Sequence, residues 1–251
     1  IDAIHVLADA SIFQRFDNFN SKIAPFQLSD MRRIFLKTSN DIDGRFFAEI
    51  LLRYLERFED DPDHKTTVEL RLSIYGMNRG EWSDLARWLL HKWDHKKHGE
   101  TVKRSMVDSD KNRWQVQIPR LWRIYSKPAE NDREPRSFHD MLGHIFIPLF
   151  EATLHPDENR VLAEALTHIV GFDSVDDEGE LEESCNAMTP KEWTSRKNPS
   201  YAWQLYHIWA NLKVLNTLRA ARGLNTFVFR PHAGETGDPM HLAASYKLCE
   251  S

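Results

Sequence analysis

The sequence predicts an α/β fold in which a parallel sheet, coated by helices, curves toward a closed barrel. Three observations carry that prediction. Four short stretches have strand character, at residues 69–76, 113–121, 168–173 and 226–231. Long segments with helical periodicity separate them, the signature of consecutive βα units. The strands also alternate. In Glu69-Leu70-Arg71-Leu72-Ser73-Ile74 the odd positions are polar and the even ones apolar, and Arg113-Trp114-Gln115-Val116-Gln117-Ile118 repeats the pattern. An open doubly wound sheet is covered by helices on both faces and reads as continuously apolar. A polar face beneath a helical coat suits a barrel, with apolar side chains toward the helices and polar ones paired inside. An antiparallel sheet with one wet face is the competing reading, and the helices between the strands weigh against it.

The helices follow in order. Phe46, Phe47, Ile50, Leu51, Tyr54, Leu55 and Phe58 recur at three- and four-residue spacing along one helix. Trp82, Leu85, Trp88 and Leu89 mark a second. Ser137 is placed to cap a third, which carries Met141, Leu142, Ile145, Phe146 and Leu149 and should bend at Pro148. The longest should begin at Asn198-Pro199 and end at Gly223, with Leu205, Ile208, Trp209, Leu212 and Leu215 as its apolar stripe. Residues 91–100 and the acidic run 176–183 read as solvated loops.

Composition bounds the function. The chain has 251 residues, enough for one large domain or two small ones, with 41% hydrophobic and 28% charged residues. A formal net charge of −5 leaves no basic footprint for nucleic acid, and an anionic substrate would need a local basic pocket. No apolar run approaches the roughly 18 residues of a membrane span. Cys185 and Cys249 are the only cysteines, which excludes a disulfide framework and suits a reducing, cytoplasmic setting. The chain starts at Ile1 without an initiator Met and stops at Ser251 inside a helical pattern, so it is expected to be a fragment.

The chemistry gathers after the fourth strand. Alternation along Thr226-Phe227-Val228-Phe229-Arg230 puts Val228, Arg230 and His232 on one face and the phenylalanines on the other. With Phe227 and Phe229 against helices, Arg230 and His232 point into the barrel. Gly234 and Gly237 allow a sharp turn, and Asp238-Pro239 opens the next helix. Barrel active sites sit at such strand ends. A neutral imidazole there is able to bind zinc, and a carboxylate three residues on to move protons beside it. Taken alone, a His and a Glu near a strand end are more often structural. Asp173, Asp176, Asp177 and Glu178 form a second cluster, either a hard-cation site or a strand-end loop. His91, His95 and His98 could share a helical face, but they stand among lysines and read as solvated.

Phe229-Arg230-Pro231-His232-Ala233-Gly234-Glu235 resembles the zinc-ligand and acid/base motif of the adenosine/AMP deaminase family. Three further stretches resemble its AMP deaminase branch in the right order: residues 15–22, 72–76 and 171–178. The likeness runs from about Asp2 to Ser251, looser at 94–110 and 179–197. The resemblance implies a (β/α)8 TIM barrel, of which this chain, residues 1–251, would supply about strands 2 to 5 with their helices. It implies one Zn²⁺ per full-length site, with His232 as a metal ligand and the remaining ligands outside the chain. It implies that Glu235 contacts the purine ring and delivers a proton to N1, while the metal lowers the pKa of a water toward 7 for attack at C6. The reaction would convert AMP to IMP and ammonia, in a homo-oligomer that is a tetramer in the family.

Residues 15–22 correspond to the family's nucleotide-binding stretch. By resemblance Phe19, Asn20, Ser21 and Lys22 contact the substrate: Phe19 offers a ring face, Asn20 paired donor and acceptor groups, and Lys22 a cation for the 5′-phosphate. Asn18 replaces the family's usual lysine and Ile23 its usual tyrosine, which bears on phosphate affinity and substrate choice; Arg15 is a compensating candidate. The family's His-x-His pair, its catalytic histidine and its Asp-Asp pair have no counterpart here. The chain alone is therefore expected neither to hold zinc tightly nor to turn over AMP. A non-catalytic truncated paralogue, binding nucleotide or joining intact subunits, is the alternative.

Overall fold

The computed structural model describes residues 37–63, 65–122, 125, 135, 137–175, 177–185, 187–195 and 197–249. In chain order the elements are α1 (Arg45–Glu59), β1 (Val68–Ser73), α2 (Glu81–Leu90), β2 (Trp93–Lys97), β3 (Glu100–Arg104) and β4 (Asn112–Pro119). There follow α3 (Phe138–Leu154), α4 (Arg160–Leu166), β5 (Ile169–Val175), β6 (Glu182–Glu183), β7 (Asn198–Pro199), α5 (Tyr201–Ala221), β8 (Val228–Phe229) and α6 (Met240–Leu248). The four expected strands are β1, β4, β5 and β8. They form one sheet in that spatial order, and every pairing in it is parallel. Each strand therefore lies beside the next of the four in sequence. A doubly wound sheet reverses its order at a switch point; this one does not, as in a stretch of barrel wall. The antiparallel alternative is set aside.

The alternation works as read. Leu72, Ile74, Trp114, Val116, Ile118, Phe172, Phe227 and Phe229 are buried on the helix-covered face. The other face carries Arg71, Gln115, Gln117, Asp173 and Arg230, and the register brings Arg71 beside Gln115 and Gln117 beside Asp173. Phe172 is the hub of the apolar layer. Its ring meets Trp82 of α2 at 6.0 Å, Phe146 of α3 at 6.4 Å and Phe227 at 5.4 Å between centroids. Two of the indoles buried beside the sheet satisfy their N–H groups on backbone oxygens. Trp82 donates to Ile145 O at 2.8 Å and Trp114 to Met106 O at 3.1 Å. Gly171 lets β5 and β8 approach, since a Cβ there would lie 2.6 Å from Val228 O.

Helix ends follow local chemistry. The Ser137 hydroxyl accepts from Asp140 N at 3.2 Å and caps α3, which runs through Pro148. At the far end of α5, Leu224 N donates to Arg219 O and Gly223 N to Ala220 O, a paired closure that a glycine after the C-cap permits. The start of α5 differs from expectation. Asn198 and Pro199 do not open the helix; they pair with Glu182 and Glu183 as β7 on β6. Asn198 Oδ1 accepts from Trp122 N at 2.8 Å, and a side chain spent there is not available to cap.

Residues 91–100 are also not a solvated loop. β2 and β3 form an antiparallel hairpin closed by His98 and Gly99, with φ of 50° and 88°. Two residues at positive φ suit the turn that matches strand twist. The hairpin docks on α1: Arg104 donates to both carboxylate oxygens of Glu59, at 2.8 and 2.6 Å. His91, His95 and His98 consequently share no helical face. His95 is buried against Glu56 at 3.2 Å, His91 packs its ring edge on Trp93, and His98 sits in the turn.

Candidate active site

The strand pattern delivers His232 to the C-terminal end of the sheet. Arg230 N donates to Phe172 O at 2.8 Å and His232 N to Ser174 O at 3.0 Å, so the extended backbone continues beside β5 past the end of β8. Two-residue alternation then turns Arg230 and His232 to the polar face. Arg230 ion-pairs with Glu69 across the sheet. His232 meets Asp173, whose side chain is fully buried.

Asp173 is the centre of the arrangement. Its carboxylate accepts from His232 N at 3.0 Å and lies 2.9 Å from His232 Nδ1. Gln117 Nε2 donates to it at 3.0 Å, and Arg71 Nε stands 3.1 Å away. Three segments of the chain thus aim donors at one buried carboxylate, which offsets the cost of taking that charge out of water. An acceptor at Nδ1 requires the proton to sit there, leaving the Nε2 lone pair free. The hydrogen bond that His232 donates to Asp173 raises the His232 pKa above its ordinary value, outweighing the opposing effect of burial. Histidine metal ligands are oriented in the same way by a carboxylate on the second nitrogen. The donor set of His232 therefore fits a zinc ion at Nε2.

Glu235 is exposed, in the turn that follows. Gly234 and Gly237 have φ of 79° and 77°, the left-handed region that the sequence anticipated. The turn is held from beneath by Glu178, only 3% exposed. The Glu178 carboxylate accepts from Gly234 N at 2.9 Å and Glu235 N at 3.1 Å, and reaches His241 Nδ1 at 2.8 Å. Tyr201 donates its hydroxyl to His232 O at 2.5 Å. Met240 N donates to Asp238 Oδ1 at 2.9 Å, so Asp238 does mark the start of α6.

The acidic run beside β5 does not act as one cluster. Asp173 faces His232, Glu178 faces the turn, and Asp177 Oδ1 accepts from Gly179 N at 2.9 Å; Asp176 lies outside the described residues. Phe19, Asn20, Ser21 and Lys22, with Arg15, Asn18 and Ile23, lie there too. Among the described residues, one grouping of three has ligand spacing, Glu56, Asp60 and His98. It is remote from His232 in the chain, partly exposed, and Lys97 already neutralises Asp60 at 3.2 Å, so we read it as hairpin electrostatics. A cleft of about 300 Å³ is lined by Arg71, Ser73, Tyr75 and Glu81; it shares Arg71 with the Asp173 centre but does not include His232 or Glu235.

Sequence reading found His232 and Glu235 and missed the groups that hold them. Gln117 and Arg71 were signalled only as polar positions on alternating strands. Asp173 and Glu178 appeared only as members of an acidic cluster, and His241 and Tyr201 carried no local signal.

Polar side chains gather on one face at the carboxyl ends of consecutive parallel strands, the place where barrel folds carry their active sites. A family model described as AMP deaminase matches residues 1–251, and the chain belongs to that family. It is 40% identical over 254 residues to AMP deaminase 3 of Mus musculus, covering 100% of this chain and 31% of that protein. It is 40% identical over 253 residues to AMP deaminase of Arabidopsis thaliana, covering 100% and 28%. With AMP deaminase of Saccharomyces cerevisiae it shares 40% identity over 250 residues, covering 99% and 28%. The chain thus spans about a third of the length of the curated relatives it matches. Among the described residues, no helix is long and apolar enough to cross a membrane.

Proposed function

We propose that the protein to which this chain belongs deaminates AMP to IMP, with water as co-substrate and ammonia as product, in the cytoplasm and as a homo-oligomer. The observation that carries the reading is His232, pinned through Nδ1 by the buried Asp173, with Glu235 three residues on in a turn above it. His232 would hold a zinc ion through Nε2. When bound, that ion supplies an activated water at neutral pH. Glu235, on the open side of the turn, contacts the purine and gives a proton to N1, which makes C6 more electrophilic. Phe19, Asn20, Ser21 and Lys22 bind the nucleotide, with Lys22 on the 5′-phosphate. Asn18 and Ile23, in place of lysine and tyrosine, weaken the phosphate contact.

The 251-residue chain alone is proposed to be inactive, because β1 and β8 form open edges of the described sheet and one histidine cannot retain a metal. The test uses the full-length protein. Wild type should release ammonia from AMP and carry one zinc per subunit. His232→Ala should lose the metal, and Glu235→Gln should keep it while kcat falls by at least about 100-fold, the scale of a lost general acid. A metal-replete wild type that leaves AMP intact would sink the reading, as would isolated chain that binds stoichiometric zinc and turns AMP over.

A further inference from the structure

Beneath the turn that carries Glu235 lies a buried polar pair that the reaction itself does not call for. Glu178 and His241 are both nearly inaccessible, at 3% and 4% exposure. The carboxylate bonds within this region through both of its oxygens. Oε2 accepts from Gly234 N at 2.9 Å and faces His241 Nδ1 at 2.8 Å, while Oε1 accepts from Glu235 N at 3.1 Å. The histidine is fixed in turn. Its ring stacks on Tyr201 at 4.2 Å between centroids with an interplanar angle of 15°. Its Nε2 lies 2.9 Å from Glu182 Oε1, close but poorly aligned, so Glu178 is its well-formed bond. Glu182 is itself held by Arg120 at 2.8 Å and by Tyr201 N at 3.1 Å. The turn presses on the same segment from above, since a Cβ on Gly237 would fall 2.2 Å from Glu178 O.

We infer that Glu178 and His241 are positioning residues: they lock the backbone N–H groups of Gly234 and Glu235 and so aim the Glu235 carboxyl at the bound substrate. The inference rests on the deaminase reading above. Only a carboxylate serves here. Two backbone N–H groups and one imidazole N–H converge on it, and an amide in its place must turn an NH₂ toward at least one of those donors. His241 adds the third donor and, through its stack on Tyr201, ties the pair to the hydroxyl that caps His232 O. The metal ligand and the acid are thereby braced separately, His232 by Asp173 and Glu235 by Glu178. Burial opposes ionisation of Glu178, but the hydrogen bonds from His241 and the two backbone groups prevail and hold its pKa below the ordinary value.

The experiment compares full-length wild type, Glu178→Gln, His241→Asn and His241→Ala in steady-state deamination of AMP, with metal content and melting temperature measured on each. Glu178→Gln should lower kcat about 10- to 100-fold, the cost of a catalytic group displaced by a fraction of an ångström to one ångström. KM should stay within about 3-fold, because ground-state binding is not what the pair controls, and metal content should match wild type. His241→Asn, whose Nδ2 is able to stand where Nδ1 does, should keep more of kcat than His241→Ala. An active wild type with unimpaired Glu178→Gln overturns the inference alone. So does a loss of kcat that merely tracks lost metal or unfolded protein, or Asn and Ala variants equally impaired. A wild type that releases no ammonia overturns the deaminase reading and the inference with it.

Discussion

Asp173 fixes the orientation and tautomer of His232. Its carboxylate is reached by His232, Gln117 and Arg71 from three different segments, and its side chain is fully buried. Asp173→Asn keeps the shape but turns an NH₂ toward one of these donors. It should weaken zinc binding by full-length protein about 10- to 100-fold, as for other carboxylate–histidine pairs, measured by competition with a chelator. An unchanged affinity would show that His232 needs no such orientation. Legibility at this scale divides along a clear line. His232 and Glu235 stood out because the string from Phe229 to Glu235 resembles a family motif, while alternation alone gave only the face of His232. Glu178 did not. In sequence it stands in Asp176-Asp177-Glu178-Gly179-Glu180, a run that looks solvated, and only His241, far along the chain, reveals that it is buried. The notion of a hard-cation loop failed for the same reason: adjacency in sequence says nothing of which way each carboxylate faces.

At the scale of elements, the hairpin is the instructive case. Its strands are strongly charged, so neither apolar alternation nor helical periodicity announced them. What stabilises it is tertiary: Glu59 of α1 receives both Arg104 nitrogens, with Lys97 at 3.4 Å. Burial raises the Glu59 pKa, but the bonds from Arg104 and its other donors outweigh it and bring it from 4.5 down to about 2. The sign follows. A carboxyl depressed in the folded state stabilises fully above its unfolded pKa, and that stabilisation is lost as pH falls through the folded value. Glu59→Gln should therefore be less stable than wild type by about 1–2 kcal/mol at pH 7, allowing for partial solvent screening. The gap should close between pH 4.5 and about 2. Urea unfolding at pH 7, 4 and 3 checks it, and a gap that widens on acidification would refute it. The main strands, by contrast, were legible within a few residues, because a surface half in helices and half in a polar interior must alternate.

For the molecule as a whole, the apolar layer between sheet and helices carries the stability, and Phe172 is where α2, α3 and two strands meet. Phe172→Ala should cost about 3–5 kcal/mol, read as a fall in the urea midpoint at unchanged slope. A loss under 1 kcal/mol would mean that the layer collapses to fill the space. The parallel order and polar inner face followed from sequence. The number of strands in the complete sheet came only with the family resemblance, because no local pattern encodes closure.

The strict succession of β1, β4, β5 and β8 in space has a consequence for how the chain is made. Each strand of this sheet docks on the sheet strand that precedes it in the chain, with β2 and β3, and β6 and β7, pairing separately, so the sheet is able to lengthen from one side as the polypeptide leaves the ribosome. No strand waits for a distant partner. His232, just past the end of β8, reaches Asp173 only after β1, β4 and β5 are set.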